Sequence, residues 1–332
     1  MTTGPAAGDA LAEVLSAGGA DLSSALERTE ARLAEVAGGH GPELGRHALG
    51  TLAAGGKRLR PVLVFVCAPS GERAEDLVRA AAAVELLHMA TLVHDDVLDR
   101  APLRRGQATV FAAGGREAAT ATGDLLFSRA FGELTLAGEP EAVRALSSAS
   151  SALARGELMQ RADAWSEVVT PERYRERCEL KTGALFDAAC RLGALLGGAG
   201  EEAVTALSRF GSRIGLAFQI FDDVLDVSGP SERTGKPRGT DLLDGTITLP
   251  LILARGRDPE LAGLDLRSVV TEAAQAEALS DRIALTGALG EAREIALGHV
   301  SEAKAAISDL ELPDERRRAL DRVADGVVER YA

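Results

Sequence analysis

Glu85–Asp99 reads ELLHMATLVHDDVLD, and Arg213–Asp226 reads RIGLAFQIFDDVLD. Each is a strongly apolar run with helical spacing that ends in the same pentapeptide, Asp-Asp-Val-Leu-Asp. Residues i and i+4 share a helix face, with Cβ atoms about 6 Å apart. Asp95 therefore projects with Asp99, and Asp222 with Asp226. Like charges at that spacing destabilise a helix by a few tenths of a kcal/mol. The dipole at a helix C-terminus disfavours carboxylates further. Two such clusters at the ends of apolar helices make sense if a cation offsets them.

Working outward, apolar residues recur at helical spacing almost everywhere, and Gly or Pro marks the breaks. The pattern predicts a flexible Gly/Ala-rich stretch over 1–20 and a single domain over 21–332. Helices are expected near 21–37, 42–54, 60–69, 74–99, 115–137, 140–164, 171–197, 200–228, 240–256, 266–287, 290–309 and 313–330. The fold class is all-α, a single bundle of about a dozen helices. Three stretches read as loops: AGGKRLRP (54–61), RAPLRRGQAT (100–109) and SGPSERTGKPRGTD (228–241).

Composition agrees. Only 3% of the 332 residues are aromatic, which argues against a β-sandwich or barrel. Hydrophobic residues make up 46%, enough for a sizeable core. The net charge of −13 excludes a bulk nucleic-acid binder and a general attraction to anionic membranes. No uninterrupted apolar run reaches transmembrane length, so no stable membrane insertion is expected. MTTGPAAGDALAEVL lacks the pattern of a signal peptide, and a cytoplasmic location follows as an expectation. Cys67, Cys178 and Cys190 fit neither a disulfide framework nor a zinc site and read as small core residues.

Carboxylates without His or Cys suit a hard ion such as Mg²⁺, which takes one or two carboxylates and fills its shell with water and phosphate oxygens. Two facing aspartate clusters thus imply metal ions that clamp a phosphorylated substrate. The basic residues sit where phosphate would need them. Lys57, Arg58 and Arg60 crowd one glycine-rich turn, and Arg104 and Arg105 follow the first cluster. Lys181 precedes Thr182 mid-chain, and Lys236 follows the second cluster. The chain has only four lysines, and Lys304 alone reads as an ordinary surface charge.

The motifs GGKRLRP, LVHDDVLDR, PLRRG, KTG, FQIFDDVLD and GKPRGTDL, in this order, resemble those of the all-trans isoprenyl diphosphate synthases, the polyprenyl synthetase family. The resemblance implies an isoprenoid synthase fold with a deep central cavity, assembled as a homodimer. It implies a prenyltransferase that joins isopentenyl diphosphate head-to-tail to an allylic diphosphate. Asp95, Asp96, Asp99, Asp222, Asp223 and Asp226 match the metal motifs, with three Mg²⁺ expected when substrate is bound. Arg104, Lys181, Thr182, Gln219 and Lys236 match the allylic diphosphate site. Lys57, Arg60, His88 and Arg105 match the isopentenyl diphosphate site. The implied catalytic set is Lys181, Asp95, Asp96 and Asp222. Six carboxylates and three Mg²⁺ cancel in charge, so Arg104, Lys181 and Lys236 would supply the attraction for diphosphate. His94, which precedes Asp95, reads as a structural hydrogen-bonding residue.

Thr246 stands where the family often has a further diphosphate-facing lysine. Product length in such enzymes depends on how far the tail can grow beneath the first aspartate motif. Ala90 and Thr91, one turn before Asp95, are small. Leu87 and Val84 lie deeper, with Phe127 and Phe131 expected on a neighbouring helix. An open floor predicts a product longer than C15, of medium or long chain, with a geranylgeranyl diphosphate synthase as the alternative if Leu87 or Phe131 closes the tube. Two other classes fit the motifs less well. A non-catalytic partner subunit would tend to lose one aspartate motif, and a terpene cyclase would carry a different second motif.

Overall fold

The computed structural model describes residues 7–69, 72–229 and 238–329. The all-α expectation holds: the described residues form sixteen α-helices, one π-helical segment and one two-residue-per-strand hairpin. In order these are α1 (Ala7–Gly38), α2 (Pro42–Ala53), α3 (Leu59–Val66), α4 (Ala74–Asp99), β1 (Leu103–Arg104), β2 (Gln107–Ala108), α5 (Val110–Leu136) and α6 (Pro140–Asp163). Then follow α7 (Pro171–Cys178), the π-helical segment Glu179–Gly183, α8 (Ala184–Leu196) and α9 (Glu201–Ser228). The remainder comprises α10 (Thr240–Leu243), α11 (Leu249–Arg255), α12 (Pro259–Ala262), α13 (Leu266–Val269), α14 (Ala273–Leu285), α15 (Ala288–Ala306) and α16 (Asp314–Glu329).

Helices α4 and α9, which carry the two pentapeptides, run through the centre, and α8 packs against both. Around them stand α1, α3 and α5 on the α4 side and α15 on the α9 side. Small residues permit this density: Ala80 to Ala83 on α4 and Ala119 and Ala130 on α5 are fully buried. α4 is long and apolar enough to cross a bilayer by composition, but most of that window is buried inside the bundle.

Several expected boundaries shift. Part of the stretch read as flexible, from Ala7 onward, is the start of α1, since α16 covers its face and buries Val14. The 100–109 loop is instead a hairpin whose turn residues, Arg105 and Gly106, both take positive φ (52° and 77°), as a type I′ turn requires. α5 begins at Val110, capped by Thr109, and kinks at Gly115. The 240–256 helix divides at Asp244–Thr248, where Gly245 is left-handed and Pro250 opens a new helix. The 266–287 helix divides at Val270–Glu272, where Glu272 and Gln275 form a capping box. The long 171–197 helix is continuous but carries the π-helical segment.

Candidate active site

α4 ends at Asp99 because Arg100 turns left-handed, and the hairpin then carries Arg104 back onto α4. The Arg104 guanidinium donates to Asp96 Oδ1 from Nε at 2.9 Å and lies 2.8 Å from it through Nη2. Each aspartate triplet is divided the same way. The middle members, Asp96 and Asp223, are 4% exposed and bonded to protein groups. The outer members, Asp95 with Asp99 and Asp222 with Asp226, keep access to solvent.

Asp223 terminates a buried chain of hydrogen bonds. Thr182 Oγ1 donates to Gln219 Oε1 at 2.7 Å, and Gln219 Nε2 donates to Asp223 Oδ1 at 2.8 Å. The Tyr174 hydroxyl donates to Asp223 Oδ2 at 2.7 Å. Thr182 and Gln219, assigned from the resemblance to diphosphate, therefore meet the second aspartate cluster through each other. Burial, reinforced by Asp222, pushes the Asp223 carboxyl up to about 7 despite these donors.

Lys181 reaches the site through the π-helical segment, whose extra residue per turn redirects the side chains of ELKTG. The segment presses on α6: a Cβ at Gly156 would lie 2.6 Å from the Lys181 backbone nitrogen. Lys181 Nζ donates to Glu157 on α6, which also accepts from Arg161 Nε at 2.8 Å. Arg161 in turn donates to Asp99. Burial would raise the Glu157 carboxyl, but Lys181 and Arg161 hold it below its ordinary value. Burial lifts Asp95 to about 6, with Glu157 and Asp99 adding to the rise and Lys181 opposing it.

Beside these carboxylates lies a cavity of about 690 Å³. Its lining includes Lys57, Arg60, His88 and Arg105, the whole predicted isopentenyl diphosphate set, together with Arg104 from the predicted allylic set and one aspartate from each motif, Asp96 and Asp222; Lys181, Thr182 and Gln219 are not among its lining residues. Arg60 lies 4.7 Å over the Phe186 ring, and its Nε is buried without a protein partner. Burial lowers the Arg60 guanidinium to about 10, and nearby Arg105 lowers it further against Glu85. Burial also holds His88 well below the usual imidazole range, helped by Arg60 and Arg105, so its ring is neutral. An orphaned donor among desolvated cations is a fitting place for an anion.

Other assignments divide. Lys236 lies outside the described residues. His94 stands 3.4 Å from Asp124 and packs on Gly123, in keeping with a structural role. Lys304 pairs with Asp325 away from the site. Thr246 donates its backbone N–H to the Asp241 carbonyl and is half-buried. Of the chain-length residues, Val84, Leu87 and Ala90 are fully buried in the core, Thr91 donates to the His88 carbonyl, and Phe131 stacks on Phe127 at 5.2 Å.

Sequence reasoning missed Tyr174, Glu157, Arg161 and Asp241. Asp241 adds a carboxylate to the second cluster. Its backbone N–H donates to Asp226 Oδ2, and burial with Asp226 and Asp223 pushes its carboxyl well up. The GTDLLD run after the second motif was the available signal. For Glu157 and Arg161 the only signal was their i,i+4 spacing.

Metal can be tested against this donor set. Among the described residues, no three acidic or imidazole side chains converge as a ready-made cage. What exists is an aspartate triplet on each of two helices, in which burial and neighbouring carboxylates push up Asp95 in the first and Asp223 in the second. That fits Mg²⁺, which binds through one or two carboxylates and completes its shell with water and phosphate oxygens.

This constellation of paired carboxylates and a desolvated basic pocket in an α-bundle defines a diphosphate-handling enzyme. The chain matches the polyprenyl synthetase family over residues 42–283, and it belongs to that family. It is 41% identical over 251 residues to component 2 of heptaprenyl diphosphate synthase from Geobacillus stearothermophilus, covering 75% of this chain and 78% of the relative. It is 36% identical to geranylgeranyl diphosphate synthase from Methanosarcina mazei, covering 83% and 86%. Its fold resembles the crystal structure of polyprenyl synthase from Caulobacter crescentus complexed with calcium and isoprenyl diphosphate, with a TM-score of 0.86, 31% identity and full coverage of both chains. The protein is thus a prenyltransferase of the polyprenyl diphosphate synthase class.

Proposed function

We propose that the protein is a Mg²⁺-dependent synthase that condenses isopentenyl diphosphate with an allylic diphosphate and makes an all-trans product longer than C15. The observation that carries this reading is the single cavity bordered by both aspartate motifs and the basic turn. Asp95, Asp99, Asp222 and Asp226, the accessible outer aspartates, would hold the metal ions, three with substrate bound. Asp96 and Asp223 would orient the arrangement through Arg104, Tyr174 and Gln219. When bound, the metal supplies charge stabilisation for the departing diphosphate.

The remaining chemistry belongs to the chain's own residues. Lys181 and Arg104 grip the allylic diphosphate, Lys181 exchanging Glu157 for it. Lys57, Arg60, Arg105 and neutral His88 hold isopentenyl diphosphate so that its double bond faces the allylic carbon. Phe186 and Phe218 line the same cavity and keep water from the carbocation. His88 stays uncharged beside Arg60, so it donates or accepts a hydrogen bond without repelling its neighbours.

Small residues at Ala90 and Thr91 favour a long product, and the named relatives include both heptaprenyl and geranylgeranyl enzymes. A homodimer in the cytoplasm completes the reading. The name of the Geobacillus relative, a component 2, favours a second version in which a different subunit assists this one. Both aspartate motifs are intact, which supports a catalytic rather than a non-catalytic subunit. The test is diphosphate release from isopentenyl diphosphate with C10, C15 and C20 allylic primers, with Mg²⁺ and with EDTA. Turnover only with Mg²⁺ is the expected result; none with any primer would refute the catalytic reading.

A further inference from the structure

The basic turn holds an anomaly. Arg58 sits in the left-handed region at φ 48°, ψ 26°, where a glycine would be at ease and a side chain is strained. Arg58 borders the cavity, but its guanidinium is buried and committed to carboxylates. Nε and Nη2 donate to Glu30 on α1, and Nη1 donates to Glu85 Oε1 on α4 at 2.8 Å. Nη2 also lies 3.4 Å from the Leu52 carbonyl on α2. One side chain thus fastens three helices to the turn that carries Lys57 and Arg60.

Glu85 is equally unexpected, a carboxylate 4% exposed in the wall of a cavity built for diphosphate. It counters Arg60 electrostatically as well as Arg58. At Gly56, an added Cβ would stand 2.9 Å from Arg58 Nη1, 3.2 Å from Arg105 Nη1 and 3.6 Å from Glu85 Oε1. Arg58 and Arg105 therefore converge beside this one carboxylate, which also attracts Arg60. Without it, Arg58, Arg60 and Arg105 would repel one another, and the left-handed residue would lose what holds it.

We infer that Arg58, Glu85 and Glu30 form a positioning clamp for the isopentenyl diphosphate half of the site. Arg58 does not contact substrate. It sets the backbone from Gly55 to Leu59, while Glu85 keeps Arg60 and Arg105 apart and aimed at the cavity. The clamp rests on the proposed use of isopentenyl diphosphate, and wild-type turnover of that substrate tests the underlying reading separately.

The experiment compares Arg58→Gly, Arg58→Lys, Glu85→Gln and Glu30→Gln in the full chain. For each, KM is measured for both substrates, along with calorimetric binding of isopentenyl diphosphate and thermal stability. Arg58→Gly relieves the backbone strain yet removes the clamp. It and Glu85→Gln should raise KM for isopentenyl diphosphate about tenfold or more, with KM for the allylic substrate changed less than twofold. Glu30→Gln, at the exposed end of the clamp, should raise it about threefold and fold normally. Arg58→Lys should restore part of the loss. Equal rises in both KM values, or a lower melting temperature with KM for isopentenyl diphosphate unchanged in Glu30→Gln and Glu85→Gln, would overturn the clamp and leave a merely structural pair.

Discussion

Replacing Asp223 with asparagine should stabilise the metal-free protein at alkaline pH while removing its activity. Asp223 is almost wholly buried, and its folded-state carboxyl titrates at about 7 against 3.8 for an ordinary aspartate. That difference between the folded and ordinary values corresponds to an upper bound of about 4 kcal/mol. Well below pH 3.8 the group is protonated in both folded and unfolded chains, and no penalty applies. As pH rises from 4 to 7 the unfolded chain ionises first and stability is lost; above 7 the full penalty is present. Asparagine imitates the protonated acid. Its amide oxygen can accept from Gln219, and its NH₂ can donate to Tyr174. Guanidinium unfolding in EDTA at pH 3, 4.5 and 8, at fixed protein concentration, should show the variant matching wild type at pH 3 and exceeding it by about 1 kcal/mol at pH 4.5. At pH 8 it should exceed wild type by about 2–4 kcal/mol. Mg²⁺ with a diphosphate should favour wild type instead, because ligand binds only its folded form. A variant no more stable than wild type at pH 8 would refute the reasoning that this carboxylate is held at a cost to folding.

Three further outcomes follow from named contacts. Gly156→Ala should displace the Lys181 segment and raise KM for the allylic diphosphate at least tenfold with little effect on isopentenyl diphosphate, as steady-state kinetics with each substrate varied would show. Arg161→Leu removes a cation from Asp99; the pair is about 40% exposed and worth at most about 1 kcal/mol, so the Mg²⁺ concentration for half-maximal turnover should fall up to fivefold. Thr91→Phe, which shares a helix face with Asp95, and Ala90→Phe should each shorten the product by at least one isoprene unit, since one turn rises about 5.4 Å; chromatography of dephosphorylated products reads this directly.

Much of this was legible in one dimension, for particular reasons. The two DDVLD repeats follow apolar runs of helical period, so α4 and α9 and the side-by-side placement of Asp95 with Asp99 could be read from spacing alone. The hairpin at 103–108 could not, because the first of its two left-handed turn residues is an arginine rather than the usual asparagine or glycine. The π-helical segment was hidden because Glu179–Gly183 has ordinary helix-forming neighbours; it lies where α6 approaches closely at Gly156, a tertiary contact. Tyr174 and Glu157 were invisible for the same reason. Their roles arise from partners 49 and 24 residues away. The split within each aspartate triplet depends on burial, and sequence gives all three members the same chemical identity.

The most direct test of the account is the product itself. Purified protein given an allylic primer and excess isopentenyl diphosphate should yield all-trans polyprenyl diphosphates longer than C15 by mass spectrometry. Yield should be lost in EDTA and restored by Mg²⁺. A product that stops at C15 would contradict the open floor at Ala90 and Thr91, and no elongation in the presence of Mg²⁺ would contradict the central claim.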